Sequence, residues 1–296
     1  MPPVALCEAL GYRTGRMTTR IAICCPGKPL RRARAERVEE LAAAEFPAAE
    51  LVFHPQCFLE TGHFAGDDAT RRDAFVDLAN DPANDAVWFG MGGYGACRIA
   101  AEAMTRLGEA AREKVYVGYS DAGTMLGALY RHGIGRPVHG PLLGDIKREG
   151  GADAMRRVLR LLTGAAVPLE AGLDERPAAA FNLMTLAMLV GTDLMPDLAG
   201  HVVLVEEVAE HLYAVDRLFF HVTQHLSGVA GLRLGRITAV PENDRPFGME
   251  ADEIARHWCA KAGIPYLGRA DIGHDAANAL VPFGRASAVA EGASEA

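Results

Sequence analysis

The sequence predicts an α/β fold built around a doubly wound parallel sheet. Short β-branched and aromatic runs alternate with amphipathic helical stretches at the spacing of βαβ units. Glycine-rich turns follow two of those runs, at what would be the carboxyl ends of strands, where such sheets place their ligands. The 296 residues suffice for one large domain or, as expected here, two.

Taken in order, residues 21–25 (IAICC) form a buried-strand pattern closed by Pro26-Gly27. Residues 34–46 read as a helix with Val38 and Leu41 apolar among charges, and 51–53 as a second short strand. Residues 68–80 form an amphipathic helix that Asp81-Pro82 stops. A third strand, 86–89, runs into Gly90-Met91-Gly92-Gly93-Tyr94-Gly95, and a helix is expected over 96–107.

Residues 114–129, KVYVGYSDAGTMLGAL, organise the rest. Val115-Tyr116-Val117 is a buried strand, Gly118 permits a sharp turn, and Ser120-Asp121 stand where a helix begins. A serine raised on a strand-to-helix turn is the logic of a nucleophile elbow, although Ala122 replaces the last glycine of G-x-S-x-G. The alternative is that Ser120 or Asp121 only caps the helix.

Residues 144–178 read as a partly helical connection. An apolar helical stretch follows over 181–190, then a fully buried strand over 202–205 that delivers Glu206 and Glu207. Those acids are either a solvated strand end or a placed carboxylate. Residues 216–226 are helical, 237–240 a strand and 251–262 a helix. Gly273 allows an unusual backbone at His274, which alone is either a hydrogen-bonded filler or a base.

Composition narrows the class. A net charge of −8 argues against a general nucleic-acid binder and against docking on anionic membranes. Six scattered cysteines without a C-x-x-C pair make structural zinc unexpected and suit free thiols in a reducing cytosol. His221 and His225 share a helix face, but Val222 stands where H-E-x-x-H needs glutamate, so no metal is expected. No stretch is long and apolar enough to span a bilayer, and the first sixteen residues make a poor signal peptide, leaving Met17 as a second candidate start. The glycines of 90–95 lack the G-x-G-x-x-G spacing of a dinucleotide site.

Taken together, several stretches resemble the LD-carboxypeptidase family. They are Phe64-Ala65-Gly66, Asp85-Ala86-Val87-Trp88, Gly92-Gly93-Tyr94-Gly95, Gly118-Tyr119-Ser120-Asp121, His139-Gly140-Pro141, Asn182-Leu183, Gly191-Thr192, Val205-Glu206-Glu207-Val208, Tyr213–Arg217 and Gly273-His274. The resemblance spans about residues 20–284. It implies a nucleophile domain (17–145), a connection (146–178) and a smaller C-terminal domain (179–286) bringing acid and base across a cleft. It implies a Ser120–Glu206–His274 triad, an oxyanion hole from the N–H groups of Asp121 and of Gly92 or Gly93, no cofactor, and a cytoplasmic homodimer.

The activity implied is release of the terminal D-alanine from muropeptide tetrapeptides in peptidoglycan recycling. The alternative is a microcin C-type immunity peptidase acting on aminoacyl-nucleotide analogues; a non-catalytic α/β binding protein is a third reading. Three departures from the family pattern stand near the cleft: Met91 for the usual arginine, Ala180-Phe181 for Gly-Gly, and a short connection.

Overall fold

The computed structural model describes residues 18–285; residues 1–17, with the candidate start Met17, and residues 286–296 lie outside the described residues. Strands β1 (Thr19–Cys24), β2 (Ala49–Phe53), β3 (Ala86–Phe89), β4 (Val115–Gly118) and β5 (Arg136–His139) form a parallel sheet in the order β2-β1-β3-β4-β5. Strand β1 shows why the sheet is covered twice. Ile21, Ile23 and Cys25 enter one apolar cluster while Ala22 and Cys24 enter another, so a continuous apolar run serves both faces. Helices α1 (Arg32–Glu45) and, later in the chain, 151–162 cover the first face. Helices α2 (Asp68–Asn80), α3 (Ala100–Met104), α4 (Glu109–Arg112) and α5 (Gly123–Arg131) cover the second. The strand order reverses between β1 and β3, which opens a crevice at their carboxyl ends.

After α6 (Gly151–Leu162), a second parallel sheet follows: β6 (Ala178–Asn182), β7 (Val202–Val208), β8 (Gly231–Thr238) and β9 (Tyr266–Arg269). Helices α7 (Leu183–Leu189), α8 (Leu212–Thr223) and α9 (Ala251–Ala262) accompany it. The two halves share one apolar core, in which Leu126 and Leu129 of α5 join Phe181, Leu186 and Val205. Gly127 makes the approach possible, since a Cβ there would come within 2.9 Å of Leu189 Cδ1. Strand β10 (Val281–Pro282) then returns to pair antiparallel with β5, and the N–H groups of Ala178 and Gly284 each donate to the other's carbonyl at 2.8 Å.

Several expectations shift. Phe181 and Asn182 finish β6 rather than opening a helix, because Asn182 Oδ1 accepts the Thr185 N–H at 3.1 Å and caps α7. The helix expected over 96–107 is a 3₁₀ turn (Ala96–Arg98) followed by α3, and α4 begins after Gly108. The strand expected at 237–240 begins at Gly231 and ends at Thr238. Within 146–178, α6 packs Met155, Val158 and Leu159 into the core of the N-terminal sheet. Arg156 of α6 grips Glu45 of α1 through two bonds of 2.6 and 2.7 Å.

Candidate active site

Ser120 stands one residue beyond Tyr119 at the end of β4, with φ of 60°, a left-handed conformation that costs a non-glycine residue about 1–3 kcal/mol. The turn is tight because Gly118 lies against Phe89, where a Cβ would meet Phe89 Cδ2 at 2.8 Å. That Cβ would also stand 3.4 Å from Ala122 Cβ, so alanine fits where the elbow pattern usually has its second glycine. Neither Ser120 nor Asp121 caps its own helix by side chain, which removes the capping reading. Instead, Asp121 Oδ2 accepts the Ala96 N–H at 2.7 Å and anchors the end of the glycine loop. Burial pushes the Asp121 carboxyl up, against those backbone donors.

Ser120 Oγ is 3.1 Å from His274 Nε2, and His274 Nδ1 is 2.5 Å from Glu206 Oε2. With Nδ1–H donated to the carboxylate, Nε2 is left to accept from the hydroxyl. Glu206 is fully buried and the His274 side chain is 9% exposed. Opposite Glu206 the β7–β8 register slips: Val205 pairs with Leu234 but Glu207 pairs with Ile237. The extra residue lies on β8, between Leu234 and Ile237. Gly235 in the bulge lets β8 pass close by, since a Cβ there would be 3.0 Å from Glu206 Cβ.

The loop carrying His274 is held from both sides. Arg236 clasps Asp275 at 2.5 and 2.9 Å, and Gly273 leaves room for it, as a Cβ there would meet Arg236 Nε at 2.8 Å. Asn278 Oδ1 accepts the Gly273 N–H at 3.1 Å and faces His139 Nε2 at 3.0 Å. His139 is buried, and that burial pushes its imidazole down to about 4, so it is neutral at pH 7. Tyr119 lies between the two imidazoles, its ring centroid 4.7 Å from that of His274 and 5.6 Å from that of His139. Burial, reinforced by Asp145, holds its hydroxyl well above the usual tyrosine range.

Gly92 touches the serine: a Cβ on it would stand 3.1 Å from Ser120 Oγ. Arg71, fully buried on α2, holds this loop by donating to the carbonyls of Pro26 and, at 2.9 Å, Gly95.

Glu207 is also buried, and accepts from Asn182 Nδ2 (2.7 Å), Val208 N–H (2.8 Å) and Met184 N–H (2.8 Å). Burial raises its carboxyl nonetheless. Thr185, at the same helix start, donates to the Ser120 carbonyl at 3.1 Å. No local pattern in the sequence marks Asn278, Thr185, Arg71 or Tyr119 as functional.

Of the departures, Ala180 and Phe181 are fully buried in β6 and line no cleft, whereas Met91 is half-buried with Arg34 Nη1 3.7 Å from its sulfur. His221 and His225 face each other with centroids 5.1 Å apart, but α8 ends at Thr223, so His225 lies beyond it. Among the described residues no group of three or more His, Cys, Asp or Glu side chains is placed to hold a metal.

A two-sheet α/β chain with a serine, an imidazole and a carboxylate aligned at the junction of its halves has the build of a hydrolase. Family descriptions make the class specific: the LD-carboxypeptidase N-terminal domain matches residues 21–140 and the LD-carboxypeptidase C-terminal domain matches 179–289. The chain belongs to the LD-carboxypeptidase family and is a peptidase. The murein tetrapeptide carboxypeptidase of Pseudomonas aeruginosa is 26% identical over 249 residues, covering 78% of this chain and 80% of that one.

Among solved structures, muramoyltetrapeptide carboxypeptidase from Oxalobacter formigenes superposes with a TM-score of 0.75 at 24% identity, over 90% of this chain and 93% of that one. The microcin C7 self immunity protein MccF, solved with aspartyl sulfamoyl adenosine, gives a TM-score of 0.73 at 17% identity, over 91% and 92%. These two likenesses speak to the fold. No described helix is long and apolar enough to cross a membrane.

Proposed function

We propose that this chain is a serine-type LD-carboxypeptidase that cleaves the L,D-peptide bond to the terminal D-alanine of muropeptide tetrapeptides, a step of peptidoglycan recycling. The observation that carries it is the Ser120–His274–Glu206 alignment, 3.1 and 2.5 Å, on a serine held at positive φ. In this reading Ser120 Oγ attacks the scissile carbonyl as its proton passes to His274 Nε2. Glu206 holds the imidazole in the required tautomer and stabilises the imidazolium. The N–H groups of Asp121 and of Gly92 or Gly93 receive the oxyanion. His274 then returns the proton to the leaving amine of D-alanine, and water, deprotonated by the same imidazole, hydrolyses the acyl-enzyme. No cofactor enters.

The choice of a wall peptide over an aminoacyl nucleotide is supported by the name of the 26% identical relative. A cytoplasmic setting and a homodimer belong to the same proposal. The test is a side-by-side incubation with a disaccharide tetrapeptide and an aminoacyl-sulfamoyl adenosine. Free D-alanine from the first is expected. Cleavage of the adenosine compound alone would transfer the chain to the immunity-peptidase reading, and cleavage of neither would remove both.

A further inference from the structure

Gly92, the residue against Ser120 Oγ, has a cation on either side. The aliphatic stem of Lys28 lies across Gly93, where a Cβ would come within 2.5 Å of Lys28 Cδ, and the Lys28 backbone N–H donates to the Gly92 carbonyl at 3.1 Å. On the other flank Arg34 Nη1 rests 3.7 Å from the sulfur of Met91. Arg31 and Lys147 lie close enough to Arg34 to repel it and each other. The acid among them, Asp145, is engaged by Arg148 at 2.7 Å. Among the described residues, Lys28, Arg31, Arg34 and Lys147 have no ion-pair partner, as is also true of Arg37, Arg131 and Arg160, and what sets these four apart is their place beside the glycine loop.

The position makes the cluster functional in character. Lys28, Arg31 and Arg34 follow β1, Met91 and Gly92 follow β3, Ser120 follows β4, and Lys147 follows β5, so all lie at the carboxyl edge of one sheet. In folding terms the arrangement is unfavourable. Arg31, Arg32 and Arg34 crowd the positive end of α1, whose first turn contains no acid, in a chain with a net charge of −8. An anion that arrives with the ligand accounts for cations left uncompensated at this edge.

Resting on the carboxypeptidase reading above, we propose that Lys28 and Arg34 bind the free α-carboxylate of the residue that is released, with Arg31 and Lys147 strengthening the field. That carboxylate lies one residue past the scissile bond, a step of about 3.8 Å between Cα atoms. Its receptors therefore have to stand beside the groups that hold the scissile carbonyl, and the neighbours of Gly92 do.

The experiment compares a tetrapeptide ending in a free carboxylate with its C-terminal amide, on wild type, Lys28→Met and Arg34→Gln. Lys28→Met keeps the stem over Gly93 and removes only the charge. Wild type is expected to prefer the acid strongly. Each variant should raise KM for the acid about 10-fold or more, with kcat changed less than about 2-fold and the amide almost unaffected. Unfolding temperatures should stay level, or rise for Arg34→Gln, which takes a cation from the first turn of α1. Variants that keep the full acid-over-amide preference, or lose both substrates equally with a lowered unfolding temperature, would overturn the subsite while the carboxypeptidase reading stands. Wild type that cleaves neither peptide would overturn that reading and the subsite with it.

Discussion

His139 is a buried imidazole that the chemistry does not use, and its substitution by glutamine probes how the base is held. In the folded protein burial lowers it from 6.5 to about 4. The unfolded chain therefore takes up a proton as pH falls through 6.5, and the folded chain does not until about 4. Stability from this group is complete above about pH 6.5 and drains away as pH falls, reaching a loss of about 3 kcal/mol below about pH 4. Between about pH 8 and pH 5 the loss is about 2 kcal/mol. Glutamine in its place can still donate to Asn278 Oδ1, which His139 meets at 3.0 Å, but takes up no proton. Urea unfolding of wild type and His139→Gln at the two pH values isolates the term, because all other titrating groups are common to both. The variant should lose about 2 kcal/mol less than wild type on acidification. Equal losses in both proteins would refute the burial argument.

Glu206→Gln should cut kcat about 10³-fold or more at unchanged unfolding temperature, because the imidazole loses its orienting carboxylate. Glu207→Gln should be mild in activity but cost about 2–3 kcal/mol in urea unfolding, since an amide nitrogen must then face one of three N–H donors. Gly92→Ala places a methyl 3.1 Å from Ser120 Oγ and should lower kcat about 10- to 100-fold in steady-state assays while stability changes little. Exhaustive chelation should leave the rate unchanged; activity lost to chelator and restored by zinc would displace Ser120 as nucleophile.

Much of the fold is legible in local pattern. Helices α2 and α9 occupy the residues that periodicity assigns, and the strands at 21–25, 86–89 and 115–117 announce themselves as apolar runs between turn signals. Strand β6 was hidden because AAAFN runs without a break into an apolar helix, and periodicity cannot divide such a run. Strand β10 is two residues long and includes Pro282, so its distant partner β5 defines it. The elbow at Ser120 could be read from Gly118 and the strand before it. Arg71, by contrast, looks like the solvent face of an amphipathic helix and is fully buried by carbonyls from two other loops. Asn278 and His139 stand 139 residues apart, so only the tertiary fold brings them together. Strand alternation in β7 separates Glu206 from Glu207, and the partners they reach, His274 and Asn182, come from far along the chain.

Whether Ser120 is the nucleophile is tested most directly by D-alanine release from a disaccharide tetrapeptide by wild type and Ser120→Ala, with matched circular dichroism spectra. The Ser120–His274–Glu206 alignment predicts a loss of about 10³-fold or more in the alanine variant. A folded Ser120→Ala protein that releases D-alanine at most of the wild-type rate would contradict it.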